Sequence, residues 1–190
     1  MKVLNTIAAT VLSLVLLEAN AQTETPKGFA NGTIILTDGT ALKGFVKDNI
    51  RKSASVIFTS ETDKKKTYDG SALSSAEIEG EKFICIKGDF FKLICEGELS
   101  FLQKSSDASG KPTYNGSEAV FSSGTEGKLN DYFIYNNSNK QLKLVSKKNI
   151  DQVATVSFAD CTAAIDKAKA VNGDLAQLKE AVETFNNRNK

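Results

Sequence analysis

The chain has 190 residues, and its 24 lysines and arginines almost balance 23 aspartates and glutamates, so no field of one sign points to nucleic acid or an anionic membrane. It contains no histidine, which removes Ser–His and Cys–His nucleophile pairs, histidine acid–base catalysis and every histidine-bearing metal site. Three scattered cysteines cannot build a four-cysteine centre, and no phosphate loop or dinucleotide fingerprint is present, so neither a metal nor a cofactor is expected.

Met1–Ala21 has the three parts of a secretory signal peptide. Lys2 supplies the positive start, Ile7–Leu17 the apolar core, and Ala19-Asn20-Ala21 the small residues of a cleavage site. The apolar run is short for a bilayer span, and no cysteine follows the cleavage region to carry a lipid. The expectation is an exported chain, periplasmic or secreted, soluble after cleavage and with no integral membrane segment. Removing 21 of the 190 residues leaves 169, enough for one domain with a sizeable core.

Gln22–Gly28 is polar and contains a proline, so it reads as a flexible leader to a β-rich region over 29–146. Gly32–Val46 carries Asp38-Gly39 between two alternating runs, a strong hairpin signal. A two-residue turn there places Ile35 opposite Leu42 and Thr33 opposite Gly44, and Gly44 marks a bend or bulge that lets the strand curl. Ser55–Thr59 and Thr67-Tyr68 flank a lysine-rich turn, which reads as the solvated tip of a hairpin.

Phe83–Gln103 is the most apolar stretch of the mature chain and breaks into three strand-length pieces. Gly88-Asp89 is read as a two-residue turn, with Ile86 facing Phe91, Ile84 facing Leu93, and Cys95 on the same face. Both faces are apolar, so this hairpin belongs inside a sheet covered on both sides. The serine- and glycine-rich segment 104–130 is long for an unstructured connection. Two short edge strands are expected in it, at Pro112–Tyr114 and Glu118–Phe121, and it is the first candidate for a ligand-facing loop.

Asp131–Asn136 and Gln141–Ser146 form a further hairpin around Asn137–Lys140, with Tyr132 and Ile134 matched to Leu142 and Leu144. Beyond it, 147–190 changes to the helical period. Ile150, Val153, Ala154, Ser157 and Phe158 share one helix face, with Ser146 as its cap. Asp160 can cap a second helix over Cys161–Ala170, with Ile165 and Ala168 inward. Asn172-Gly173 stops it, Asp174 caps the next, and Leu175, Leu178, Val182 and Phe185 make an apolar stripe. The predicted fold class is α+β: a mostly antiparallel curled sheet or small open barrel built from hairpins, with two or three C-terminal helices packed on it.

An odd number of cysteines in an exported chain allows one disulfide and one leftover thiol. Cys85 and Cys95 fall on opposite faces in the register above. Cys161 is therefore expected to pair with one of them, Cys95 being the candidate, or all three stay reduced. Carboxylates are the remaining chemistry: Glu77, Glu79 and Glu81 lie near one another, as do Glu96 and Glu98. No residue is assigned a catalytic role. With no tryptophan for a stacking platform, Tyr68, Tyr114 and Phe121 are the candidate binding residues.

Gly32–Gly44 (GTIILTDGTALKG), Ala76–Ile84 (AEIEGEKFI), Phe91–Leu102 (FKLICEGELSFL) and Asp131–Cys161, ending FADC, resemble a loose group of exported β-rich proteins of the Bacteroidota. The resemblance implies an envelope or secreted location and a β-rich core with terminal helices, and it transfers no catalytic residues. The leading expectation is an exported, non-catalytic binding or structural protein of the cell envelope, with a protein or glycan partner. The alternative is a carboxylate-dependent hydrolase acting on a substrate such as a glycan. A homodimer joined through the last helix is the third reading.

Overall fold

The computed structural model describes residues 25–110, 112–115 and 118–189. The signal peptide expected at 1–21 and the start of the leader at 22–24 lie outside the described residues.

The strands are β1 (Ala30–Leu36), β2 (Ala41–Asn49), β3 (Ser55–Thr59), β4 (Lys66–Asp69), β5 (Leu73–Ile78) and β6 (Glu81–Ile86). They continue as β7 (Asp89–Cys95), β8 (Leu99–Lys104), β9 (Pro112–Asn115), β10 (Glu118–Phe121), β11 (Tyr132–Asn136) and β12 (Gln141–Val145). Ten of them form one antiparallel sheet in the order β12-β11-β8-β7-β6-β5-β1-β2-β3-β4, and β9 with β10 makes a separate ribbon. The helices are α1 (Ile50–Ser53), α2 (Ile150–Ser157), α3 (Thr162–Lys169) and α4 (Leu178–Asn186). This is the expected α+β curled sheet with C-terminal helices, and it is not closed into a barrel. One antiparallel bridge, Gly70 to Gly88, brings the end of β4 against the β6–β7 turn without extending into a ladder.

Gly32 and Gly44 face each other across β1 and β2, where a Cβ on Gly44 would stand 2.6 Å from the Thr59 carbonyl oxygen. The close approach excludes a Cβ at Gly44 and at its cross-strand neighbour Gly32, while the β1–β2 register runs through both without a bulge. The concave face of β1–β7 encloses Ile34, Val46, Val56, Phe58, Leu73, Phe83 and Phe90. Farther along the same sheet, Leu99, Phe101, Ile134 and Val145 are covered by Val153 and Phe158 of the α2 segment and by the α4 residues Leu178, Val182 and Phe185. The opposite face carries Phe91, Leu102 and Phe133, all fully buried, with Phe91 edge-on to Phe133 at 5.2 Å between ring centroids. The apolar stripe of the last helix thus packs on the sheet.

Several registers differ from expectation, each for a turn-geometry reason. The β1–β2 loop has three residues: Leu36 and Thr40 close it, and Gly39 takes φ +89° at its end. The register consequently slips by one, pairing Ile34 with Leu42 and Gly32 with Gly44. The β6–β7 turn is Lys87-Gly88, both at positive φ (51° and 86°), so Ile86 pairs with Asp89 and Asp89 opens a strand. The shift is by two residues, so the faces are conserved up to Leu93. A bulge between Leu93 and Cys95 then turns Cys95 to the helix-covered face.

In β11–β12, Phe133 pairs with Leu144 and Tyr135 with Leu142, while Tyr132 and Ile134 sit opposite Val145 and Lys143. Asn149, not Ser146, stands at the N-terminus of α2, and its Oδ1 accepts from the Ser146 backbone (2.7 Å) and hydroxyl (3.0 Å). Cys161, not Asp160, precedes α3, and Ala164 is buried beside Ala168 with Ile165 only half-buried. Asp174 does cap the turn before α4, accepting from Ala176 N at 3.1 Å.

Candidate functional site

The loop-rich segment leaves the sheet after Lys104 and returns at Asp131. Its roots are stapled: Ser105 N donates to the Phe90 carbonyl (2.8 Å), Lys104 N to the Asp131 carbonyl (2.9 Å) and Asn130 N to the Lys104 carbonyl (2.8 Å). The two expected short strands are present as the β9–β10 ribbon, standing apart from the main sheet. Gly110 donates to the Ser122 carbonyl at 3.0 Å, closing the base of that ribbon.

Beneath it lies a charge pair that sequence reasoning missed. Asp89 and Lys104 are both 0 % exposed, with Nζ 3.2 Å from Oδ2. Asp89 also accepts from Ala108 N (2.6 Å), Thr125 N (2.8 Å) and Thr125 Oγ1 (2.6 Å). Lys104 Nζ donates to the carbonyls of Thr125 (2.8 Å), Glu126 and Gly127 (3.3 Å each). The carboxylate therefore grips both arms of the excursion, while the ammonium gathers the returning one. Such burial is costly unless every lone pair and proton finds a partner, and here they do. Lys104 reads in sequence as an ordinary strand end, and Asp89 as a turn residue. The one signal that could have exposed them is that Lys87-Gly88 also suits a two-residue turn, which places Asp89 on the face of Phe91.

Where the excursion meets the curled end of the sheet there is a cavity of about 200 Å³. Among the described residues it is lined by Ser53, Ala54, Asp69, Gly70 and Ser71 on one side, and by Gly88, Ala108, Pro112 and Ser122 on the other. Gly70 is required there, because a Cβ would collide with the Gly88 carbonyl and the Phe90 ring. Ala54 holds a left-handed backbone (φ 47°) at the end of α1, and its carbonyl accepts from Gly70 N.

None of the three expected binding residues is among the residues that line this cavity, and they differ in how near they come to it. Phe121 is 67 % exposed, and its cross-strand partner Pro112 and its neighbour Ser122 both line the cavity. Tyr68 is half-buried, edge-on to Phe58 at 6.5 Å with the Lys66 ammonium 4.8 Å from its ring, so it belongs to the end of the core. Tyr114 pairs through its backbone with Ala119, and its side chain lies outside the described residues.

The acidic residues are dispersed. Glu79 and Glu81 line an open cleft of about 550 Å³ together with Asp48, whereas Glu77 and Glu96 line a separate one. Glu81 is bonded to Lys92, Glu98 to Arg188 (2.9 Å), Glu96 lies 3.8 Å from Lys82, and Asp48 Oδ1 accepts from Ile50 N (2.7 Å). Among the described residues, no group of three or more Asp, Glu, His or Cys side chains converges as a metal site. Cys85, Cys95 and Cys161 are free thiols; Cys95 and Cys161 both pack in the helix-covered core. Burial pushes the Cys85 thiol far up, and burial also raises Cys95, with the Glu183 carboxylate adding to the effect. Neither is poised as a thiolate nucleophile. No helix among the described residues is long and apolar enough to cross a membrane.

No protein-family model matches the chain, and comparison with curated proteins and with solved structures gives no match.

Proposed function

We propose that the chain is an exported, non-catalytic binding protein of the cell envelope, and that it binds through the β9–β10 ribbon and the cavity at its foot. The observation that carries this reading is an aromatic ring, Phe121, left 67 % exposed on a segment whose roots are locked by two fully buried charges. Binding residues concentrate on loops positioned by a rigid scaffold, and this anchoring positions the excursion in that way. Export draws its support from the three-part leader at Met1–Ala21 and from the resemblance to exported Bacteroidota proteins. Expression of the full chain followed by cell fractionation tests it. The expected product starts at Gln22, lies outside the cytoplasm and turns over no glycan substrate. A full-length chain resident in the cytosol contradicts the reading.

The hydrolase reading retains one supporting observation, the cleft shared by Asp48, Glu79 and Glu81. Asp48 and Glu81 are already engaged by a backbone N–H and by Lys92, and Glu79 and Glu81 stand exposed to water. Glycan cleavage that vanishes in Glu79→Gln would favour it over binding.

A further inference from the structure

Resting on the binding reading above, we infer that the cavity between the β4 end, the β6–β7 turn and the ribbon is a subsite for one ring of a neutral carbohydrate, with Phe121 at its rim as the stacking face. Size sets the first limit. At about 200 Å³ it is smaller than the ~300–1,000 Å³ pockets that enclose drug-sized ligands, so it takes a single small unit with the remainder passing over the rim.

Chemistry sets the second limit. Among the described residues the lining holds three hydroxyls and one carboxylate, from Ser53, Ser71, Ser122 and Asp69, beside the apolar surfaces of Ala54, Ala108 and Pro112. A sugar ring offers the matching pair: an edge of hydroxyls that both donate and accept, and a face of C–H groups. Two of the serines are fixed in advance. Ser53 Oγ lies 3.1 Å from the Asn49 carbonyl and 2.8 Å from Ser55 Oγ, and Ser122 Oγ donates to the Lys87 carbonyl (3.1 Å) while accepting from Gly124 N (3.2 Å). Pre-set polar groups of this kind reduce the ordering cost of binding.

Other ligand classes fit less well. Asp69 is the only charged residue among the described lining residues, and it repels phosphate, sulfate or a uronate. A cation would find a single exposed carboxylate, an attraction that salt screens, and would leave the hydroxyl edge unused. The aromatic component comes from register. Phe121 is directly opposite Pro112 across the ribbon, so both side chains stand on the same ribbon face, and Pro112 already borders the cavity.

The test is an NMR titration of the mature chain with cellotriose, chitotriose and maltotriose, following the backbone amides of Gly70, Ser71, Gly88 and Ser122. At least one trisaccharide is expected to shift these four signals, with an affinity unchanged between about 50 mM and about 500 mM salt, because no net charge is neutralised. Phe121→Ala is expected to weaken that binding about tenfold and Asp69→Asn by a smaller factor, with the remaining signals unmoved. No shift with any of the three sugars overturns the inference, as does a shift confined to signals away from the cavity. A response to trilysine that collapses in salt also overturns the carbohydrate class, but it leaves the binding reading standing. Envelope material retained by the wild type and lost in Phe121→Ser, with all three trisaccharides silent, separates the two in the same way.

Discussion

Replacing Lys104 with methionine keeps an unbranched side chain one atom shorter and removes its charge. Asp89 would then sit at 0 % exposure with its three donors, Ala108 N, Thr125 N and Thr125 Oγ1, but without a counter-charge. Breaking a buried pair from one side costs about 3–5 kcal/mol, because the remaining ion stays desolvated and uncompensated. The three surviving hydrogen bonds place Lys104→Met toward the lower end, about 3 kcal/mol. The carbonyls of Thr125, Glu126 and Gly127 belong to residues at least partly exposed, so water can replace the lost ammonium and they add little. Adding Asp89→Asn to Lys104→Met removes the stranded charge, so the double variant should be more stable than the sum of the single losses by at least about 1 kcal/mol. Urea unfolding of the four species measures the cycle, and hydrogen exchange should show 105–131 losing protection before the sheet does. A loss below about 1 kcal/mol for Lys104→Met, or strict additivity in the cycle, would refute the assignment of this pair as the anchor of the excursion.

Three other outcomes follow from the same geometry. Asn186 bonds both the N–H and the carbonyl of Leu99 (3.0 and 2.8 Å), docking α4 on β8, so Asn186→Ala should cost about 1–3 kcal/mol in urea unfolding and loosen the last helix first in hydrogen exchange. Gly70→Ala drives a Cβ into the Gly88 carbonyl, so it should shift the amide signals of Gly70, Gly88 and Ala54 and lower the unfolding midpoint, whereas Gly39→Ala meets no neighbouring atom and is penalised only for its positive φ. Alkylation after unfolding, without reductant, should label three thiols per chain by mass; in the native state Cys85 and Cys95 should react slowly at pH 8 because both thiols are held above the usual range.

How far the fold was legible depended on where specificity resides. Apolar alternation was enough to place hairpins at Asp38-Gly39, at Gly88 and at Asn137–Lys140, and the 3.6-residue period was enough for the stripe Leu178, Val182 and Phe185. Register was not legible, since it turns on whether Asp38-Gly39 closes two residues or three and on which residue before or after Gly88 takes positive φ. The bulge that redirects Cys95 leaves no mark in composition. The site was half legible. The serine- and glycine-rich segment and Phe121 were recognisable as a candidate ligand-facing loop, because an isolated ring in a polar stretch is conspicuous. The pair that holds it was not, because Asp89 and Lys104 are fifteen positions apart and each has an ordinary surface meaning until long-range pairing puts both on the Phe91 face.

The most direct test of the binding account is retention of native envelope material on the immobilised mature chain, compared side by side with Phe121→Ser and with substrate turnover monitored throughout. The account predicts material held by the wild type, reduced at least about tenfold by the substitution, and released unaltered. Equal retention by both proteins, or release of cleaved product, would contradict it.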